Sequence, residues 1–138
     1  MAEHGRRAEF FARRLAERGM RVIYPGLPDH PQHDLIRALA NPGFGLGGIF
    51  DLDLGGAARA NELMEALQNQ DRFGFIAVSL GYFDTLMSCS AAPPRASFPR
   101  TSRPRPASRR AARGLDRLHR SLEQRWRQME DALKIVGL

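Results

Sequence analysis

Several groups of residues have the types and spacing for chemistry. His30 and His33 stand at i, i+3 with Asp29 and Asp34 beside them, the donor set of a metal site if the side chains turned to one face. A solvated, capped helix start explains the same residues more simply. Gly45-Leu46-Gly47-Gly48 has the glycines of a phosphate loop. It precedes a strand pattern instead of a helix, the reverse of a phosphate-binding arrangement, and reads as a tight turn. Asp51 and Asp53 are two apart in an alternating run, so they share a face. They form a candidate carboxylate pair, but a solvated outer face accounts for them. Cys89 is the single cysteine, has no base near it in sequence, and reads as a small core residue. One cysteine excludes an internal disulfide framework and a multi-thiolate zinc site. These residues on their own commit no catalytic and no metal position.

The elements that must hold them follow from periodicity. Residues 3–18 predict an amphipathic helix, with Ala8, Phe11, Ala12 and Leu15 on one face and Gly19 just past its end. Residues 20–24 are β-prone and stop at Pro25-Gly26. A second helix is expected from Asp29 or His30, with Pro31 in its first turn and Leu35, Ile36 and Leu39 as its apolar stripe. In residues 48–54, Phe50, Leu52 and Leu54 alternate with the two aspartates, a half-buried strand. A helix over 57–67 turns Leu63, Met64 and Leu67 inward; strands follow over 73–80 and 85–88. Residues 121–135 predict a last helix on Leu122, Trp126, Met129 and Leu133. The order gives an α/β class, a small sandwich with helices covering one face of a sheet.

Composition narrows the function. The chain has 138 residues and 43% hydrophobic content, enough for one domain with a core and too little for two catalytic domains. It has no run of about 18 apolar residues of the kind a membrane span needs. Residues 1–14 mix charged and apolar side chains and lack a secretory pattern. The net charge of +6 is localised: residues 1–90 hold nine Arg and eleven acids, residues 91–120 nine Arg and one acid, Asp116. Five of the nine prolines also lie in 91–120, so the basicity describes a linker-like or arm-like segment and not the domain.

A resemblance rests on several motifs in order. Val22-Ile23-Tyr24-Pro25-Gly26-Leu27-Pro28-Asp29-His30-Pro31-Gln32-His33 resembles the V-x-Y-P-G-L-x-x-H-P-Q-H stretch of the Cys/Met-metabolism family of pyridoxal-phosphate (PLP) enzymes, which includes cystathionine γ-synthase, cystathionine γ-lyase and methionine γ-lyase. Residues 45–52 resemble its glycine turn and strand, and Gly55-Gly56 with the following helix fit the next motif. Ala77-Val78-Ser79-Leu80-Gly81-Tyr82-Phe83-Asp84-Thr85-Leu86 is similar to A-V-S-L-G-x-x-E-S-L, and Ser121-Leu122-Glu123-Gln124-Arg125-Trp126 to the last helix of one branch.

The resemblance implies the C-terminal small domain of a fold-type I PLP enzyme, a mainly antiparallel sheet with helices on one face, over 1–90 and 121–138. It implies a fragment of a trans-sulfuration enzyme, a lyase or transferase of sulfur amino acids acting by elimination or replacement at the β or γ carbon. The cofactor would be pyridoxal phosphate, held mainly by a large N-terminal domain that supplies the Schiff-base lysine. The only lysine here, Lys134, matches no catalytic position, and Met1 stands where the small domain would begin, so the chain alone is expected to be inactive. Three substrate-binding positions carry over. Ser79 matches the serine whose backbone helps bind the substrate α-carboxylate, and Asp84 the acidic position facing the distal part of the substrate. Arg113 falls where the family's carboxylate-clamping arginine is counted back from Ser121. The partners implied are an amino-acid substrate and a homotetrameric parent, in the cytoplasm, with no membrane and no nucleic acid.

Residues 91–120 depart from the family. Arg113 is followed by Gly114-Leu115-Asp116, so the G-L-V-R-[LM]-S-x-G motif is absent around it. The segment is expected to be irregular, leaving the sheet one strand short, or to be a shifted reading of the coding sequence. Codons chosen for residues 91–97 hide Gly-Ser-Ser-Thr-Ser-Ser-Glu in the neighbouring frame, which resembles the family loop. The alternative function is a nucleic-acid or protein binding module using the Arg-rich segment. Phe98 is the only aromatic side chain in that segment for stacking.

Overall fold

The computed structural model describes residues 1–69, 73–77, 85–89 and 121–138. The chain divides into two compact units, 1–55 and 56–138. The Arg/Pro-rich segment 91–120 lies outside the described residues.

The first unit starts with helix α1, Ala2–Glu17, which buries Gly5, Ala8, Phe11, Ala12 and Leu15 at helical spacing. Its outer face carries the ion pairs Glu3–Arg6, Glu3–Arg7 and Glu9–Arg13. The helix ends in a Schellman motif: Gly19 N–H donates to Ala16 O and Met20 N–H to Leu15 O. Gly19 sits at φ 80°, a left-handed conformation in which a side chain would be strained. Strand β1, Arg21–Ile23, then pairs antiparallel with β2, Asp51–Asp53, with Val22 opposite Leu52. The pleat is as expected, with Leu52 half-buried between exposed Asp51 and Asp53. Tyr24 is 1% exposed and packs with Ala8 and Ala12, flanked by Val22, Leu27 and Phe50.

The passage from β1 to helix α2, His33–Leu39, differs from expectation. The helix begins at His33, with Gln32 as N-cap, and not at Asp29 or His30. Residues 24–33 form consecutive turns instead: Leu27 N–H donates to Tyr24 O, His30 N–H to Leu27 O and His33 N–H to His30 O. Pro25, Pro28 and Pro31 each occupy the second position of one turn, where a φ fixed near −65° is pre-set for it. The apolar stripe is also corrected. Leu35 and Leu39 are 55% and 72% exposed, Ile36 is half-buried, and α2 has no buried residue.

The second unit holds α3, Ala57–Asn69, whose Leu63, Met64, Ala66 and Leu67 are buried. Phe73 N–H donates to Leu67 O, and Gln68 Oε1 accepts from Ile76 N–H at 2.7 Å, fastening α3 to the next strand. That strand, β3, Gly74–Ile76, pairs parallel with β4, Thr85–Met87, and Ala77 N–H extends the ladder to Met87 O. A side chain on Gly74 would run into Thr85 O, so this approach needs glycine. Residues 78–80 of the expected strand over 73–80 lie outside the described residues. The last helix, α4, Leu122–Ile135, opens with a capping box in which Ser121 accepts from Gln124 N–H and the Gln124 side chain accepts from Ser121 N–H. It packs on α3 and buries Arg125, Trp126, Met129, Ala132 and Leu133.

The class is the expected α/β: the first unit packs α1 on the antiparallel β1–β2 pair, and the second packs α3 on the parallel β3–β4 pair and on α4, elements consistent with the C-terminal domain of a fold-type I PLP enzyme.

Candidate functional site

The polar groups singled out in the sequence are held by their local backbone. His33 Nδ1 lies 2.9 Å from Pro25 O, an acceptor, so this nitrogen carries the hydrogen and donates. His30 Nδ1 accepts from Gln32 N–H at 3.1 Å. No three His, Cys, Asp or Glu side chains converge as metal donors among the described residues. The turn at 45–48 is tied down from below, because the buried Tyr24 hydroxyl donates to Gly47 O at 3.0 Å. Burial pushes the Tyr24 phenol pKa up, so the hydroxyl stays a donor through the ordinary pH range.

The aspartate pair has a structural use. Asp53 Oδ2 accepts from Arg21 Nη1 across the β1–β2 ladder at 3.1 Å, and its Oδ1 accepts from Gly55 N–H. Asp51 stays exposed on the same outer face. Neither is placed for acid–base work, for which a carboxyl in a drier site would be needed. Trp126 is core, as expected, whereas Cys89 is half-buried and not the core residue the sequence suggested.

Ser79, Asp84 and Arg113 lie outside the described residues. Their described neighbours are the β3–β4 pair: Ser79 follows Ala77 by two residues, and Asp84 directly precedes Thr85. Next to the start of β3 lies a buried arginine that sequence reasoning missed. Arg125 is 5% exposed, its Nη1 donates to Phe73 O, and its guanidinium lies 5.5 Å from the Phe73 ring centroid. The signal was present, since Arg125 stands three after Leu122 and four before Met129, on the buried stripe. A charged side chain on that stripe reads by default as solvated.

Pyridoxal phosphate needs a lysine that is partly deprotonated and held beside it. Lys134 is exposed in the last turn of α4 and pairs with Asp131 at 3.2 Å. The described residues therefore do not fit a Schiff-base site.

The sequence pattern of the Cys/Met metabolism PLP-dependent enzyme family matches residues 1–130. The chain is 44% identical over 139 aligned residues to methionine gamma-lyase of Arabidopsis thaliana, covering 96% of the chain and 30% of that protein. It is 35% identical over 82 residues to cystathionine gamma-lyase of Bacillus subtilis, covering 59% of the chain and 20% of the relative. Cystathionine beta-lyase of Neurospora crassa is 35% identical over 81 residues, 59% and 16% of the two chains. The chain thus spans less than a third of the length of the curated relatives it matches. No solved structure matches it.

Proposed function

The chain belongs to the Cys/Met metabolism PLP-dependent enzyme family, and from that premise we propose that it is the small, substrate-facing part of a trans-sulfuration enzyme. The reaction is elimination or replacement at the β or γ carbon of a sulfur amino acid. The observation that carries this reading is 44% identity to a methionine gamma-lyase across 96% of the chain. The cofactor lysine comes from another part of the enzyme, because Lys134 is exposed and ion-paired. The 138 residues by themselves are inactive.

In this reading the chain's own residues bind and orient substrate. Ser79 presents backbone donors to the substrate α-carboxylate and Asp84 faces the distal end of the substrate; Arg113 is the counted-back candidate for the clamp, but it lacks the family motif around it. Arg125 acts at one remove, fixing Phe73 at the entry to β3, the strand that leads to Ser79. The parent assembly is a homotetramer. Residues 91–120 are where the sequence departs from the family motifs, a shifted reading of the coding sequence, and the nucleotide sequence checks this: codons that do not yield the family loop in another frame refute the shift.

The test is complementation. The chain is co-expressed with the portion of the Arabidopsis methionine gamma-lyase outside the aligned region, and 2-oxo acid release from L-methionine, L-cystathionine and L-cysteine is followed. The pair is expected to turn over at least one of them and the chain alone none, with Asp84→Asn changing the preference among the three. A folded pair that is inert toward all three refutes the reading.

A further inference from the structure

The first unit has a cleft that the proposed reaction does not use. It is open to solvent, has a volume of about 500 Å³ and is lined by α1, α2, the turn at Gly26 and Pro28, and the loop over residues 40–46. Its charged and ionisable lining is Glu9, Arg13, His33 and Arg37, two guanidinium groups against one carboxylate. Glu9 is already matched, since its Oε1 accepts from Arg13 Nε at 2.9 Å and Nη2 at 2.7 Å. Arg13 therefore uses two of its five donors there, and three remain. Arg37 makes no ion pair and no hydrogen bond among the described residues, and all five of its donors are available.

The loop supplies a second, independent feature. Positive φ recurs at Gly43 (81°), Gly45 (79°) and Gly47 (101°), a left-handed backbone that favours glycine at each of these positions. Backbone N–H groups left without a partner beside a cleft are donors that an anion can take up. Gly43 and Gly45 line the cleft together with Leu46, and none of these three N–H groups is hydrogen-bonded among the described residues. Tyr24 holds the loop from beneath through Gly47 O, so the curve does not depend on a ligand for its shape.

We propose that this cleft binds a small doubly charged oxyanion, a phosphate or a dicarboxylate, between Arg37, Arg13 and the N–H groups of the 43–46 loop. The proposal does not depend on the reaction assigned above. The fork of Arg37 takes two oxygens of one anionic group, the geometry guanidinium supplies and an ammonium does not.

The whole chain is titrated calorimetrically at low ionic strength with inorganic phosphate and, separately, with L-malate, against sodium chloride of equal ionic strength. Saturable binding of one equivalent of either is expected, and which of them binds identifies the source of the oxyanion. Arg37→Gln weakens it by about tenfold or more, the loss of one charge-assisted pair. Arg59→Gln removes the same charge from an exposed position on α3 outside the cleft and leaves affinity within about twofold. Amide shifts on titration concentrate at Gly43, Gly45 and Leu46. Equal weakening by both substitutions, or saturation by neither anion, overturns the proposal. Circular dichroism confirms that each variant is folded.

Discussion

Replacing Arg125 tests how the second unit is held together. Its guanidinium is buried, donates to Phe73 O and lies over the Phe73 ring. Arg125→Met keeps most of the volume and removes the charge and the donor. Taking a charged donor from a buried carbonyl costs about 1.5–3 kcal/mol, and loss of the ring contact about 1 kcal/mol more. The two share one side chain and do not simply add, so about 2–3 kcal/mol is expected for methionine. Arg125→Ala also vacates the space of the stem and should cost about 3–4 kcal/mol. Trp126 is the next residue and 6% exposed, so its fluorescence in a urea titration reports unfolding of this unit directly. A double-mutant cycle with Phe73→Leu, which leaves the carbonyl in place, isolates the ring contact at about 1 kcal/mol. If Arg125→Met shifts stability by less than about 0.5 kcal/mol, the arginine does not fasten α4 to β3 and its positioning role fails with it.

Other outcomes follow from the same physics. Gly74→Ala drives a methyl group into Thr85 O and should cost about 1–3 kcal/mol, with faster amide exchange at Ala77 as the β3–β4 ladder loosens. Arg6 and Arg7 hold the Glu3 carboxyl at about 2 by hydrogen bonding. A carboxylate pKa lowered by folding stabilises above its unfolded value of 4.5, and that contribution is lost as pH falls toward 2. Helicity of the chain measured by circular dichroism should therefore fall over that window, less so in Glu3→Gln. Leu35→Gln with Leu39→Gln removes exposed apolar surface only, so stability should stay within about 0.5 kcal/mol while solubility rises.

The helices α1, α3 and α4 were legible because each buries one stripe against its own unit, and that burial writes a 3.6-residue period into the sequence. The same logic misplaced α2. Its Leu35 and Leu39 are apolar without being buried, and the prolines at 25, 28 and 31 favour turns over an early helix start. Arg125 was hidden by its residue type and not by its spacing. Parallel pairing of β3 with β4 could not be read, since strands of three residues carry too little alternation to set direction or register. The proposed substrate-binding positions Ser79, Asp84 and Arg113 rest on resemblance alone and lie outside the described residues; as residue types, a strand-end serine, a loop acid and an arginine in a basic run point to no chemistry.

Cofactor retention tests the central claim, that this chain supplies substrate contacts to a lysine carried elsewhere, most directly. The chain is passed through size exclusion with pyridoxal phosphate, alone and after co-expression with the unaligned portion of the Arabidopsis relative, while the cofactor's visible absorbance is followed. The account predicts that the chain alone elutes without cofactor and that the complex carries one equivalent. One equivalent retained by the chain alone, and lost on Lys134→Arg, would contradict it.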